Sequence, residues 1–329
     1  MNFTKLSCAS LMALALLAVG PSLAQTPWPS KPIKLVVPFP PGGGTDFVAR
    51  LLAEKLSTQA GWVIVVDNKP GAGGNIGLDA VAKSTPDGYT IGLGQTANLV
   101  INPALYPKIP FDPLKDFAPI AVVASQPVVL LVNAASPYKT LADVVVASKA
   151  QPESLRIGLA GNGTVGHLAG EMLERRADIK ILNVPYKGAG PAMTDLLGNQ
   201  VELNFANTSV AIPQLGGGKV RALAISSSQR LKAVPQLAAI PTVSELGYPG
   251  FEAITWSGLV APVGTPAAVV DRINAEVQKI LMRPDVIEKL AIEGSTTAAE
   301  GTPRQFAQYI QSEHKKWGTL IREAHIKLD

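Results

Sequence analysis

Four short glycine-rich segments are the places where this chain is best equipped to do chemistry. Each follows an apolar run and opens a helical pattern: Gly42-Gly43-Gly44-Thr45-Asp46, Gly71-Ala72-Gly73-Gly74-Asn75, Gly161-Asn162-Gly163-Thr164-Val165-Gly166 and Tyr186-Lys187-Gly188-Ala189-Gly190-Pro191. Glycine lets the backbone approach a guest closely, and the first-turn N–H groups of the following helix have no partner within that helix. Their partial positive charge suits a carboxylate or phosphate, at ~0.3–1 kcal/mol per terminus. Each segment also has a plainer reading, as a tight turn in which a residue such as Asp46 or Asn75 satisfies the local backbone. No Lys-Ser/Thr pair follows the first, so it is not a nucleotide P-loop. The third matches G-x-G-x-x-G. A dinucleotide site also needs an acidic residue at the end of the next strand, where Pro185-Tyr186-Lys187-Gly188 offers none.

Few side chains are arranged for catalysis. His167 opens the helix after the third turn, where it can meet a ligand or simply cap and pack. His314 and His325 fall on C-terminal helical stretches. Lys187 suits an anion partner or a solvated lysine better than a Schiff base. Nothing pairs Asp195 with Glu202 as acid and base, and G-x-S-x-G, H-E-x-x-H and C-x-x-C do not occur. Three histidines and one cysteine exclude most metal sites, so the expectation is no enzyme, no metal and no cofactor.

The elements that must position these turns read as alternating β and α. Strand-like runs occupy 33–37, 62–66, 89–93, 118–123, 128–132, 155–159, 181–184, 201–205, 220–225 and 251–260. Helical spacing covers 47–56, 141–149, 167–176 and 192–197. That alternation predicts an α/β fold with helices on both faces of the sheet. Ser125-Gln126-Pro127 separates two apolar strands and suits a hinge, because proline interrupts a strand. From Thr265 onward the chain holds helices alone. Thr265 is read as an N-cap with Pro266 at N1, and Val269, Ile273, Val277 and Ile280 form an apolar stripe. Thr302-Pro303-Arg304-Gln305 is a capping box for a long final helix. With no strands among them, these helices must pack onto a domain begun earlier. The expected division is therefore 25–125 with 229–329 as one discontinuous lobe and 126–228 as the other, with a ligand cleft between them.

Hydrophobic residues make up 47% of the 329 and charged residues 16%, which excludes wholesale disorder. The formal charge of +4 has no clustered basic run behind it, so nucleic acid is not an expected partner. Residues 1–24 carry one lysine, an apolar stretch too short to span a bilayer, and small residues at Ser22 and Ala24, which predicts a signal peptide cleaved after Ala24. Lys5 is the only charged residue removed, so the exported remainder has charge +3 and no cysteine. Disulfides cannot hold it together, and a packed core must.

The ordered set of Trp28-Pro29, Pro38-Phe39 with Gly42-Gly43-Gly44-Thr45-Asp46, Asn68-Lys69-Pro70-Gly71-Ala72-Gly73-Gly74, Phe111-Asp112-Pro113, Gly163-Thr164 with Gly166-His167-Leu168, Pro185-Tyr186-Lys187-Gly188, Trp256-Ser257-Gly258-Leu259 and Ala261-Pro262-Val263-Gly264-Thr265-Pro266 resembles the Bug family. These are the substrate-binding proteins of tripartite tricarboxylate transporters, and the likeness spans residues 25–329. It implies a two-lobed periplasmic binding protein of the second type, closing on a small carboxylate like a flytrap and serving a membrane permease, as a monomer. By position it implies that Phe39, Gly43, Thr45, Thr96 and Asn98 line the first lobe's side. Gly161, Asn162, Gly163, Thr164, Lys187, Gly188, Ala189, Asn204 and Asn207 would line the other. Two competing readings are a ligand-sensing adaptor with the same fold and a Rossmann-type oxidoreductase built on Gly161–Gly166.

Overall fold

The computed structural model describes residues 28–298 and 301–327. The signal peptide expected over 1–24 lies outside them. β1 (Ile33–Val37) buries four of its five residues, as a central parallel strand must. A glycine turn leads into α1 (Gly44–Ala60), which turns Val48, Leu51, Leu52 and Leu56 inward. β2 (Ile64–Asn68), α2 (Asn75–Ala82) and β3 (Thr90–Gln95) follow, and β1 pairs in parallel with both β2 and β3. A π-helical turn then runs into the short α3 (Asn102–Leu105).

The next strand departs from expectation. Two strands broken at Pro127 are predicted, but β4 runs unbroken from Phe117 to Asn133. Proline ends nothing here because it sits where the strand changes partners. Residues up to Pro127 pair with β9 (Ile254–Pro262), and from Val128 onward the partners are β7 (Leu203–Asn207) and β8 (Val220–Ile225). The amide of Val128 donates to Ser226 Oγ at 2.9 Å.

Between β4 and β8 the chain makes α4 (Leu141–Ala150), β5 (Arg156–Leu159), α5 (Val165–Ala177), β6 (Leu182–Pro185), α6 (Ala189–Leu197), β7 and α7 (Thr208–Gly216). β5 pairs in parallel with β6 and β7. The full order is β2-β1-β3-β9-β4-β7-β5-β6, with β8 also on β4. Two parallel halves are thus joined through the antiparallel pairings of β4 and β9.

The C-terminal helices α8 (Ala267–Leu281), α9 (Pro284–Ile292) and α10 (Pro303–Glu323) add no sheet beyond the two-residue β10 (Thr296–Thr297). α8 and α10 pack on β4, and Asn274 of α8 donates to Ile120 O at 2.8 Å. The capping box forms as predicted: Thr302 Oγ1 accepts from Gln305 N–H, and Gln305 Oε1 accepts from Thr302 N–H at 2.8 Å. Thr265 does not cap α8. Its hydroxyl donates to Pro262 O at 2.7 Å, closing the turn after β9, and Pro266 takes the N-cap position.

Two buried carboxylates fix what lies near the cleft. Asp46 Oδ2 accepts from Gly42 N–H (2.9 Å) and Arg50 Nε (2.8 Å), and its Oδ1 accepts from Asn68 Nδ2 (3.0 Å). Asn68 Nδ2 also reaches Phe39 O, so one carboxylate folds the first glycine turn onto β2. Glu313 of α10 accepts from the indole N–H groups of Trp256 (3.3 Å) and Trp317 (2.9 Å), both fully buried, and Lys316 pairs with it. Trp256 also meets Phe306 edge-on at 5.6 Å.

Both give testable consequences. The Arg50 guanidinium, ahead of the Gly42 and Asn68 hydrogen bonds, holds the Asp46 carboxyl down at about 2. Its folded pKa lies below its unfolded value, so its stabilisation is present above roughly pH 4 and is lost as pH falls toward 2. Asp46→Asn should cost about 1–3 kcal/mol in urea unfolding at pH 7 and nearly nothing at pH 2. Glu313→Ala strands two buried indole donors and should cost about 2–4 kcal/mol at pH 7 by the same measurement.

Candidate functional site

The cleft holds a cavity of about 390 Å³, lined from both sheet halves. From the first half come Phe39, Gly44, Thr45, Gly73, Gln95 and Asn102, with Gln126, Thr255 and Ser257 from β4 and β9. Asn162, Gly163, Thr164, Val165, Asn207 and Ser209 come from the second, and Glu293 and Ser295 from the segment after α9. Among these described walls there is no lysine, arginine or histidine, and Glu293 is the one acidic residue.

What the walls offer an anion is backbone. Three strand–turn–helix units end here: β1 into α1, β5 into α5, and β7 into α7. Gly43 at the N-cap of α1 and Asn207 at the N-cap of α7 make no side-chain cap hydrogen bond. The first turns of these two helices therefore keep donors facing the cavity side. At α5, Thr164 Oγ1 takes one such donor, the His167 N–H, at 3.3 Å. The glycine signal found α1 and α5 but missed α7, whose start, Asn207-Thr208-Ser209, has no glycine.

Neutral side chains hold these pieces in register. Gln95 Nε2 donates to Thr45 Oγ1 at 2.8 Å, tying the end of β3 to the first turn of α1. Asn102 Nδ2 donates to Gly73 O (3.1 Å) and Asn75 Oδ1 (2.8 Å), seating the second glycine turn. Gln126 Nε2 donates to Glu293 O at 2.8 Å.

Of the residues expected at the site, Phe39, Thr45, Asn162, Gly163, Thr164 and Asn207 line the cavity. Gly43 precedes Gly44 on the wall, and Gly161 precedes Asn162, its carbonyl accepting from Thr164 Oγ1 at 2.8 Å. Thr96, Asn98 and Asn204 lie buried one layer back. Thr96 Oγ1 accepts from Trp256 N–H (2.7 Å), and Asn98 Oδ1 accepts from Gln95 N–H (2.9 Å). Asn204 sits inside β7, opposite Leu131. Lys187, Gly188 and Ala189 are outside the walls, because they follow β6, the edge strand farthest from β4.

Walls that the sequence did not flag include Gln95, Asn102, Tyr106, Gln126, Ser209, Thr255, Ser257, Glu293 and Ser295. Gln95, Gln126, Thr255 and Ser257 sit on strands whose cavity-facing side is decided by pairing and not by any local motif.

The remaining candidates are structural. His167 is buried and its Nδ1 accepts from Gly163 N–H at 3.0 Å. Asp195 accepts from Tyr186 Oη (2.6 Å), which burial first and this carboxylate second push up to about 12. Glu202 pairs with Arg156 at 2.6 Å. Gly166, the last glycine of the G-x-G-x-x-G match, is explained by packing, since a Cβ there would collide with the carbonyl oxygen of Phe205.

Residues 48–326 match the tripartite tricarboxylate transporter family receptor, TctC. Among solved structures, the periplasmic binding protein BugD is 36% identical and superposes with a TM-score of 0.73, covering 92% of this chain and 100% of BugD. Rpa4515 of R. palustris, solved with adipate, is 34% identical with a TM-score of 0.78, covering 92% and 100%. MatC (Rpa3494) from Rhodopseudomonas palustris, solved with malate, is 34% identical with a TM-score of 0.73, covering 89% and 100%. With two lobes, a cavity between two parallel half-sheets and this match over most of its length, the chain belongs to the TctC family of tripartite tricarboxylate transporter receptors, the family of the Bug substrate-binding proteins.

Proposed function

We propose that this protein is a periplasmic receptor that captures a small organic carboxylate between its lobes and passes it, unchanged, to tripartite permease subunits. Residues 25–125 and 229–329 form one lobe and 126–228 the other, and the mature monomer begins after Ala24. No covalent step, metal or cofactor takes part. The observation that carries this reading is the cavity itself. Three helix N-termini from both half-sheets meet around a space without a basic side chain in its described walls, so peptide dipoles are what an anion would find there. The adipate and malate held by two relatives support a carboxylate over a phosphate.

In this reading Thr45, Gln95, Asn162, Thr164, Asn207 and Ser209 hydrogen-bond the guest, while Phe39 and Tyr106 shield its carbon body. Gly43, Gly161 and the buried Thr96, Asn98 and Asn204 hold the contacting loops. Lys187, Gly188 and Ala189 act at the outer rim of the second lobe. Gly163 rests against Leu105, so that any side chain at 163 would meet it. This contact bridges the proposed lobes and is made only when they are near one another.

Melting curves against mono-, di- and tricarboxylates test the proposal. A true ligand at a hundredfold excess over its Kd should stabilise the protein by ~2.7 kcal/mol. Small-angle scattering should show compaction with the same compound. No shift with any member at millimolar concentration would sink the reading. Gly163→Val, which sets a branched side chain against Leu105, should weaken binding by at least tenfold, about 1.4 kcal/mol, and abolish the compaction.

A further inference from the structure

The imidazole of His167 is engaged at both nitrogens. Nδ1 accepts the Gly163 N–H at 3.0 Å, and Nε2 lies 3.6 Å from Oε1 of Glu171, one turn further along α5. Asn183 of β6 donates to that same glutamate oxygen at 2.8 Å. A relay therefore runs from the sheet edge through α5 to Gly163, which is part of the cavity wall. The arrangement fixes the tautomer. The proton sits on Nε2, toward the carboxylate, and the Nδ1 lone pair faces the amide. An imidazolium has hydrogens on both nitrogens, so on protonation the Gly163 amide loses its acceptor and faces a second donor.

We propose that His167 is a positioning residue for the guest: neutral, it holds the 161–164 loop in the cavity wall, and protonated, it lets that loop go. Loss of that acceptor then weakens carboxylate affinity. The proposal rests on the receptor reading above. Gly163 is buried, takes a φ of +73°, and abuts Leu105, so its peptide plane cannot turn without disturbing the wall.

Charged groups surround the imidazole. The Glu171 carboxyl is held below the usual range, first by His167 and also by Asn183 and Arg175. Arg175 is itself shared with Glu323 of α10 at 3.1 Å. Glu174, further along the helix, is pushed up to about 7 by burial. It makes its hydrogen bond to Ile181 N–H at the far end of α5, away from the cavity loop.

The test uses the purified protein with adipate and malate as probes, comparing Kd at pH 7.5 and pH 5.5. Wild type should weaken by about tenfold in acid, the size of one lost hydrogen bond. In His167→Asn the amide oxygen takes the place of Nδ1 but does not titrate. Affinity at pH 7.5 should be retained, and only the pH dependence that comes from probe ionisation and Glu174 should remain. His167→Leu should bind weakly at both pH values. Without any probe, the Gly163 amide resonance should titrate together with the His167 ring in wild type and stand still in His167→Asn. Equal pH dependence in wild type and His167→Asn, or a Gly163 amide that ignores the ring, would overturn the proposal. If neither probe binds at pH 7.5, it is the receptor reading that suffers, and the amide titration still decides the role of His167.

Discussion

A cavity whose described walls lack lysine, arginine and histidine can hold an anion only with peptide N–H groups and neutral side chains. Such donors are weak one by one and work only if several are aimed at the same place. That requirement dictates the architecture. In a parallel β-α unit the helix starts where the strand ends, so helix N-termini collect at the carboxyl edge of the sheet. β1, β5 and β7 each deliver one helix start in this way. Two separate half-sheets are needed to surround the space, and β4, unbroken for 17 residues, belongs to both. The antiparallel β9 completes the arrangement by carrying Thr255 and Ser257 to the wall from far along the chain.

Donors aimed this way must not be consumed by their own loops. The structure solves this by giving the loops other anchors. Asp46 takes the Gly42 amide and Arg50, leaving the first turn of α1 without a side-chain cap. Asn102 seats the second glycine turn through Gly73 O and Asn75 Oδ1, and Thr96 ties β9 to the turn after β3. Asp46 therefore acts as scaffold. Its charge is neutralised by Arg50 and does not oppose an anion at the helix start. Glu293 is the one acidic residue left on the wall, and its carbonyl is already occupied by Gln126.

Much of the fold was legible because its cues are local. Strand cores were found within a few residues, the Thr302 and Gln305 box formed atom for atom, and the first and third glycine turns lie at the cavity. The failures share a cause: a local rule met a non-local partner. Pro127 breaks an isolated strand but not one that is exchanging neighbours at that residue. Thr265 has the chemistry of an N-cap, yet a nearer acceptor, Pro262 O, claims its hydroxyl. α7 was missed because Pro213 lies inside it and no glycine precedes it. Thr96 and Asn98 have the right chemistry one layer too deep. The depth of a residue behind a cavity wall is set by sheet register, which no short window encodes.

The G-x-G-x-x-G match shows how one pattern can answer two demands. Gly166 is required by the carbonyl of Phe205, a packing constraint between α5 and β7 that would exist with no guest at all. Gly163 is required by a left-handed backbone and by Leu105, a residue from the other half of the molecule. The first constraint fixes the helix on its sheet, and the second fixes the loop against the opposing wall. Between them His167 reaches back to the Gly163 amide, tying the start of the helix to the loop before it. A dinucleotide site uses the same glycines to admit a pyrophosphate. Here Leu105 packs where a Cβ on Gly163 would stand.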